Sequence, residues 1–230
     1  MITKALGFRT LMQDADGCDP AQRDARKRGH TAASMRRPSM ARSTRRKVFV
    51  SEMNDLMVLV DEEDRVIGAG EKLETHRKGA LHRAFSVIVW NSAGQLLLQK
   101  RHAGKYHSGS LWTNACCGHP GPDEDVAAAA GARLMQEMGF SCPLEGLGRI
   151  TYRAELDHGM IEHELVYVFR GVHDGAVAPD PEEADAYRWA APDDVRADIA
   201  ARPSEFSAWF RSYMDAGWPV APCASGQPQG

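Results

Sequence analysis

Two short segments hold the residue types from which catalytic sites are made: Thr113-Asn114-Ala115-Cys116-Cys117-Gly118-His119-Pro120 and Ile161-Glu162-His163-Glu164. In extended chain, side chains alternate between two faces. Cys117 and His119 therefore point one way, and Glu162 and Glu164 share a face in the same manner. Two such segments bring a thiol, an imidazole and two carboxylates to one cavity, which describes a metal site with a thiol beside it. The same alternation turns Cys116 and His163 away, and Cys116 reads as a small buried hydrophobe. Gly118 permits close backbone approach, while Thr113 and Asn114 supply polar groups. A neighbouring metal or cationic cluster would lower the pKa of the Cys117 thiol and make it a better base.

Further donors lie upstream. His76 and His82 flank a short basic loop, Arg77-Lys78-Gly79. A lone histidine in such a loop is ordinarily solvated. Added to His119, Glu162 and Glu164, these two complete a nitrogen and oxygen set suited to zinc, manganese or iron(II). The spacing alone is not specific, because three separate segments must meet. Lys72, Lys100, Arg101, Lys105 and Arg133 are candidate phosphate ligands, Arg for bidentate contact and Lys as a point charge. Tyr152 and Trp209 read, on their own, as core residues.

The elements that must position these residues are legible from Leu56 onward. Leu56–Val60 and Val66–Gly68 flank an acidic turn and predict a hairpin, as do Phe85–Trp90 and Gln95–Lys100 around Asn91-Ser-Ala-Gly94. Val126 to Met138 is rich in Ala, Leu and Met, follows three acidic residues and stops at Gly139, which predicts a helix. Strand-like runs follow at 147–155 and 162–172. A Pro-rich loop (178–181) leads to Tyr187–Trp189, and helices are expected at about 192–201 and 204–216. This order predicts an α+β domain with a mixed sheet.

Charge divides the 230-residue chain unevenly around its net of −3. Residues 1–50 carry 12 Lys/Arg against 4 Asp/Glu, which leaves 16 basic and 27 acidic residues beyond them. An anionic ligand of the acidic part must be drawn by a local basic cluster or by a metal. Between Arg26 and Lys47 there are nine basic residues and no acid, a composition expected of a disordered Arg-rich extension over 1–52. A transit peptide or nucleic-acid-binding arm has similar composition, although Asp14, Asp16 and Asp19 are wrong for the former. The expected functional unit is 53–220, followed by a flexible tail over 221–230. Five irregularly spaced cysteines make a poor disulfide framework and fit a reducing cytoplasm. No apolar run is long enough to span a membrane, and no secretory leader is recognisable.

Gly121 through Phe140 has the outline of a Nudix box, the loop and helix that hold metal in diphosphate hydrolases. Aligned on Gly139-Phe140, Ala132-Arg133 replaces the usual Arg-Glu pair and Gln136-Glu137 the usual Glu-Glu pair, so Glu137 alone remains as an acid. That argues against a working hydrolase. Over about 55–217 the chain resembles type I isopentenyl-diphosphate isomerase, a Nudix-superfamily enzyme. The residues that carry the likeness are Leu81–Ser86, Leu111–Pro120, Tyr152–Ala154, Ile161–Glu164 and Phe206–Trp209. Ser108-Gly109-Ser110 departs from the aromatic-Pro-Gly turn of many members, and His76 and His82 stand one residue closer than in well-known bacterial members.

The resemblance implies a Nudix-type mixed sheet flanked by helices and interconversion of isopentenyl and dimethylallyl diphosphate by protonation and deprotonation. It implies Cys117, Glu164 and Tyr152 as proton carriers, with Cys117 as a thiolate base and Glu164 and Tyr152 on the acid side. His76, His82, His119, Glu162 and Glu164 would hold Mn2+ or Zn2+. Glu137, with the Cys117 carbonyl, would hold a substrate-bridging Mg2+. Lys72, Arg101, Lys105 and Arg133 would grip the diphosphate, and Trp209 would face the hydrocarbon. The expected partner is this small prenyl diphosphate, with no membrane or nucleic acid, and the chain is expected as a monomer or weak dimer. A Nudix hydrolase and an inactive Nudix module that binds nucleic acid through its basic extension are the competing readings.

Overall fold

The structure is a computed structural model that describes residues 56–217; the segments 1–52 and 221–230, on which a disordered extension and a flexible tail were expected, lie outside the described residues. Strands β1 (Leu56–Val60) and β2 (Val66–Glu71) form the first hairpin, followed by helix α1 (Lys72–Lys78). Strands β3 (His82–Trp90) and β4 (Leu96–Arg101) form the second, and short strands β5 (Trp112–Asn114) and β6 (Cys116–Gly118) follow. Helix α2 spans Val126–Met138, as its composition predicts, and precedes the long hairpin of β7 (Leu144–Glu155) and β8 (Ile161–Val172). Strand β9 (Ala184–Ala190) returns along β4, and helices α3 (Pro192–Ala201) and α4 (Ala208–Asp215) close the domain.

All nine strands join one mixed sheet. Its centre is β3, which pairs antiparallel with β6 and parallel with β8. Alternation along β3 builds two cores. Ala84, Ile88 and Trp90 face Val195 of α3 and Phe206, Phe210 and Tyr213 at the C-terminal end. Phe85, Val87 and Val89 face Ala130, Leu134 and Met138 of α2. Cys116 belongs to the second core and is fully buried, while Cys117 packs against the first, as expected for neighbours on a strand.

Two elements differ from expectation. The basic segment before Gly79 is helix α1 rather than a loop. It is too short to show an apolar period, and it is held by its ends: the Glu71 carboxylate accepts from Leu73 N and Glu74 N, and Gly79 closes it at φ 62°. The last helical stretch is divided. Pro203–Glu205 forms a 3-10 turn, Phe206 is extended and bridges Trp112, and Ser207 then caps α4 by accepting from Phe210 N. The cap fixes where Trp209 and Tyr213 enter the core.

Gly139 ends α2 at φ 75°, and a Cβ there would lie 2.4 Å from the Ala178 carbonyl oxygen. Gly139→Ala is expected to cost about 2 kcal/mol or more, since both strain and steric overlap oppose it. Urea unfolding followed by circular dichroism measures this, and a change under about 0.5 kcal/mol would show that the junction relaxes freely.

Candidate active site

Strand pairing places the polar residues. On β3, His82 and Ser86 occupy the same face as Ala84; on β8, Glu162 and Glu164 share the face of Val166. The parallel register sets His82 beside Glu164, the β7 register sets Tyr152 beside Glu164, and the β6 register sets Cys117 beside Ser86. Helix α1 adds His76 from the side. These groups adjoin or line a cavity of about 370 Å³.

Ligand atoms of His76, His82, His119 and Glu162 lie within 4.8 Å of one another. Glu164 stands beside them, with Oε1 2.8 Å from His119 Nε2 and 3.6 Å from His82 Nε2. The Nδ1 atoms of His76 and His82 lie 2.7 and 2.9 Å from the carbonyls of Lys72 and Ala80. A carbonyl only accepts, so both Nδ1 atoms carry hydrogen and each neutral ring turns a lone pair on Nε2 inward. His76 Nε2, His82 Nε2 and Glu162 Oε2 are buried and have no hydrogen-bond partner in the protein. Buried acceptors left without partners are costly, and a divalent cation would satisfy all three. The residues present fit a metal.

The two carboxylates differ. Burial pushes both up, but the hydrogen bond with His119 Nε2, with the His82 ring nearby, holds Glu164 well below the usual carboxylate range. Burial and then the charge of Glu164 push Glu162 well above it. Tyr152 donates to Glu164 Oε2 at 2.6 Å. Cys117 lines the same cavity. Burial pushes its thiol up to about 12, only partly opposed by the hydrogen bond with Ser86. Asn114 Nδ2 is committed to the carbonyls of Val87 and Cys116, at 3.0 and 2.9 Å, so Asn114 Oδ1, 3.3 Å from Cys117 Sγ, can only accept. With protein groups alone, burial favours the thiol over the thiolate.

Lys72, Arg101, Lys105 and Arg133 also line the cavity, together with Glu137; Lys100, one residue earlier on β4, does not. Arg101 donates to the carbonyls of Ser108 and His107 and lies over the Trp209 ring at 5.2 Å. Arg133 Nε donates to Glu137 Oε1 at 2.6 Å, and Gln99 Nε2 donates to Glu137 Oε2 at 2.8 Å.

The NUDIX domain family matches residues 80–210. Isopentenyl-diphosphate Delta-isomerase from Burkholderia multivorans is 47% identical over 169 residues, which cover 73% of this chain and 96% of that protein. This chain belongs to the isopentenyl-diphosphate delta-isomerase family. The isomerase of that name from Pectobacterium atrosepticum is also 47% identical, covering 67% of this chain and 87% of its own. Among solved structures, DR0079 from Deinococcus radiodurans superposes with a TM-score of 0.60 at 16% identity, over 71% of this chain and 99% of that one. That likeness concerns the NUDIX fold alone.

Several residues of this isomerase site were not singled out in the sequence. Ser86 Oγ stands 3.1 Å from Cys117 Sγ and 2.9 Å from the Tyr213 hydroxyl, a buried hydroxyl pair behind the thiol. Its signal was a single polar residue on the buried face of an apolar strand. His107 Nε2 lies 3.3 Å from Glu162 Oε1, and His107 is 6% exposed. It sits in the loop where the chain departs from many isomerases, and Ser108, with φ 51°, turns it inward. Nothing local distinguishes it from a solvated histidine.

Burial, with the charge of Arg101, pushes His107 down to about 3. Below about pH 6.5 the unfolded chain takes up a proton there that the folded chain refuses. Stability contributed by the neutral ring is thus present above that pH and declines as pH falls toward about 3, by at most about 1.4 kcal/mol per pH unit. Metal-stripped protein is expected to lose stability between about pH 6.5 and 5, and His107→Gln to shallow that slope. Denaturant midpoints across this range test it, and an unchanged slope in the variant would exclude the assignment.

Proposed function

We propose that this chain interconverts isopentenyl and dimethylallyl diphosphate in isoprenoid biosynthesis, with Cys117 and the Tyr152–Glu164 pair as proton carriers. The observation that supports it is the joint lining of one buried cavity by these two proton-bearing groups and a separate set of cations. The catalytic unit is assigned to 53–220. The substrate is a small prenyl diphosphate, and the monomer or weak dimer is the working form because one chain supplies the whole cavity.

Moving the double bond requires a proton added at one carbon and removed at another, through a tertiary cation. Cys117 serves one position and Glu164, with Tyr152 donating to it, serves the other. The sulfur and the carboxylate carry one proton between them, since the thiol is held up to about 12 while Glu164 is held ionised. One turnover spends the proton of one group and loads the other, so a proton must pass back between them, through Tyr152 or solvent, before the next turnover in the same direction. The walls exclude the water that would trap the cation as an alcohol. Trp209, 4% exposed, presents an aromatic face whose attraction for a desolvated cation is about 2 kcal/mol. Lys72, Arg101, Lys105 and Arg133 bind the diphosphate and orient the hydrocarbon end.

His76, His82, His119, Glu162 and Glu164 would hold Mn2+ or Zn2+, and Glu137 with the Cys117 carbonyl would hold a substrate-bridging Mg2+. Such ions, when bound, supply positive charge beside carboxylates that burial would otherwise neutralise. The unpaired described cysteines, Cys116, Cys117 and Cys142, suit a reducing compartment, and the cytoplasm is the assigned location. None of the described helices is long and apolar enough to cross a membrane.

Isopentenyl diphosphate incubated with the purified protein in deuterated water is expected to give dimethylallyl diphosphate carrying deuterium, followed by NMR. Cys117→Ala and Glu164→Gln should each lower the rate by about 10²-fold to 10⁴-fold; full activity in Cys117→Ala, or phosphate release without deuterium incorporation, would sink the reading. Adding Mn2+ or Zn2+ to stripped protein is expected to raise its thermal midpoint, and His82→Ala to remove that increment. An equal increment in the variant would place metal binding elsewhere.

A further inference from the structure

Glu183 has no part in the chemistry described so far, yet it sits among the cations of the cavity. Its backbone is fixed at both ends: its N–H donates to Asp180 O at 2.9 Å, and its carbonyl accepts from His102 N at 2.9 Å. The side chain is 14% exposed. One of its oxygens, Oε2, accepts from both Lys105 Nζ and Arg133 Nη2, the latter at 3.0 Å. Lys105 comes from the loop after β4 and Arg133 from α2, so Glu183 clasps two elements that have no other direct link through these side chains.

Two cations converging on a single oxygen is the arrangement a terminal phosphate oxygen would find. Arg133 also donates to Glu137. Lys105 and Arg133 are therefore already balanced by two carboxylates, Glu137 and Glu183. A bare diphosphate entering between Lys105 and Arg133 meets cations that are occupied and two anions that repel it, and only Lys72 and Arg101 are left to draw it in. A diphosphate that arrives with a divalent cation meets neither difficulty, since the metal offsets the carboxylates while the anion takes the hydrogen bonds.

We propose that Glu183 is a specificity-determining residue: its carboxylate holds the place of a phosphate oxygen between Lys105 and Arg133, so that the site admits a diphosphate with its divalent cation and disfavours the bare anion. The proposal rests on reading the cation cluster as the diphosphate site. Glu183 does not touch the reacting carbons; it acts on binding through Lys105 and Arg133. It should therefore change the dependence of KM on Mg2+ and leave kcat at saturating Mg2+ and substrate within about twofold.

The test titrates inorganic pyrophosphate into the full-length protein by calorimetry, without added Mg2+ and with saturating Mg2+. Glu183→Gln and Glu183→Ala, each checked for an unchanged circular-dichroism spectrum, are compared with Lys105→Ala. Both Glu183 variants are expected to tighten Mg2+-free binding by about tenfold, the effect of relieving one close like charge, and so to shrink the advantage that Mg2+ gives. Lys105→Ala should weaken binding in both conditions. Unchanged or weaker Mg2+-free binding in the Glu183 variants, with Lys105→Ala still weakened, would overturn the role of Glu183 and leave the diphosphate site standing. If Lys105→Ala also binds as the unaltered protein does, the diphosphate site and the proposal fall together. Weakening of Mg2+-dependent binding alone would make Glu183 a metal ligand and overturn the proposal as well.

Discussion

The parallel pairing of β3 with β8 is the constraint on which the site depends. It sets His82 beside Glu164 and, two residues at a time, keeps His82, Ala84 and Ser86 on the face shared by Glu162, Glu164 and Val166. A slip of one residue would send the carboxylates to the α2 face, where Phe85 and Val87 pack against Leu134. Parallel pairs need a long crossover rather than a tight turn. Here the chain between β3 and β8 supplies Cys117, His119, Arg133, Glu137 and Tyr152 on its way. The connection that permits the register is also the source of most of the site.

Much of this was legible in the sequence, and for identifiable reasons. Helix α2 is punctuated by Asp125 and Gly139, and its composition needs no tertiary help. The opposite fates of Cys116 and Cys117 follow from strand period alone. Helix α1 was not legible, because seven residues cannot display an amphipathic period and its stability comes from the Glu71 cap and the burial of Thr75 and His76. His107 and Glu183 were hidden for a different cause. Each is an ordinary loop residue whose neighbours, Glu162 in one case and Arg133 in the other, are distant in the chain. The balance at Cys117 between burial and a neighbouring metal was not legible either, because spacing brings a sulfur near a metal cluster but says nothing of how dry its surroundings are.

The electrostatics of the cavity form two regions of different character. Around the histidines, burial dominates, and the polar atoms left without partners define what must be added. Around Arg133, every charge is already matched, and what binds must displace a partner. Arg101 joins the two by gripping the His107–Ser108 backbone while lying against Trp209.

Helix α4 both lines the cavity, through Trp209, and forms part of the main core: Trp209, Phe210, Tyr213 and Met214 are each 5% exposed or less. Ser207 and the Phe206–Trp112 bridge anchor its start to the sheet. This ceiling cannot lift without unmaking the core beneath it. The exposed lining residues are spread around the cavity: Leu56 at the start of β1, Tyr106 in the loop after β4, and Glu124, Ala132 and Gln136 on α2 and the loop before it. If Trp209 meets the hydrocarbon as proposed, the wall that limits chain length is itself core, so discrimination by length and stability of the fold rest on the same side chains.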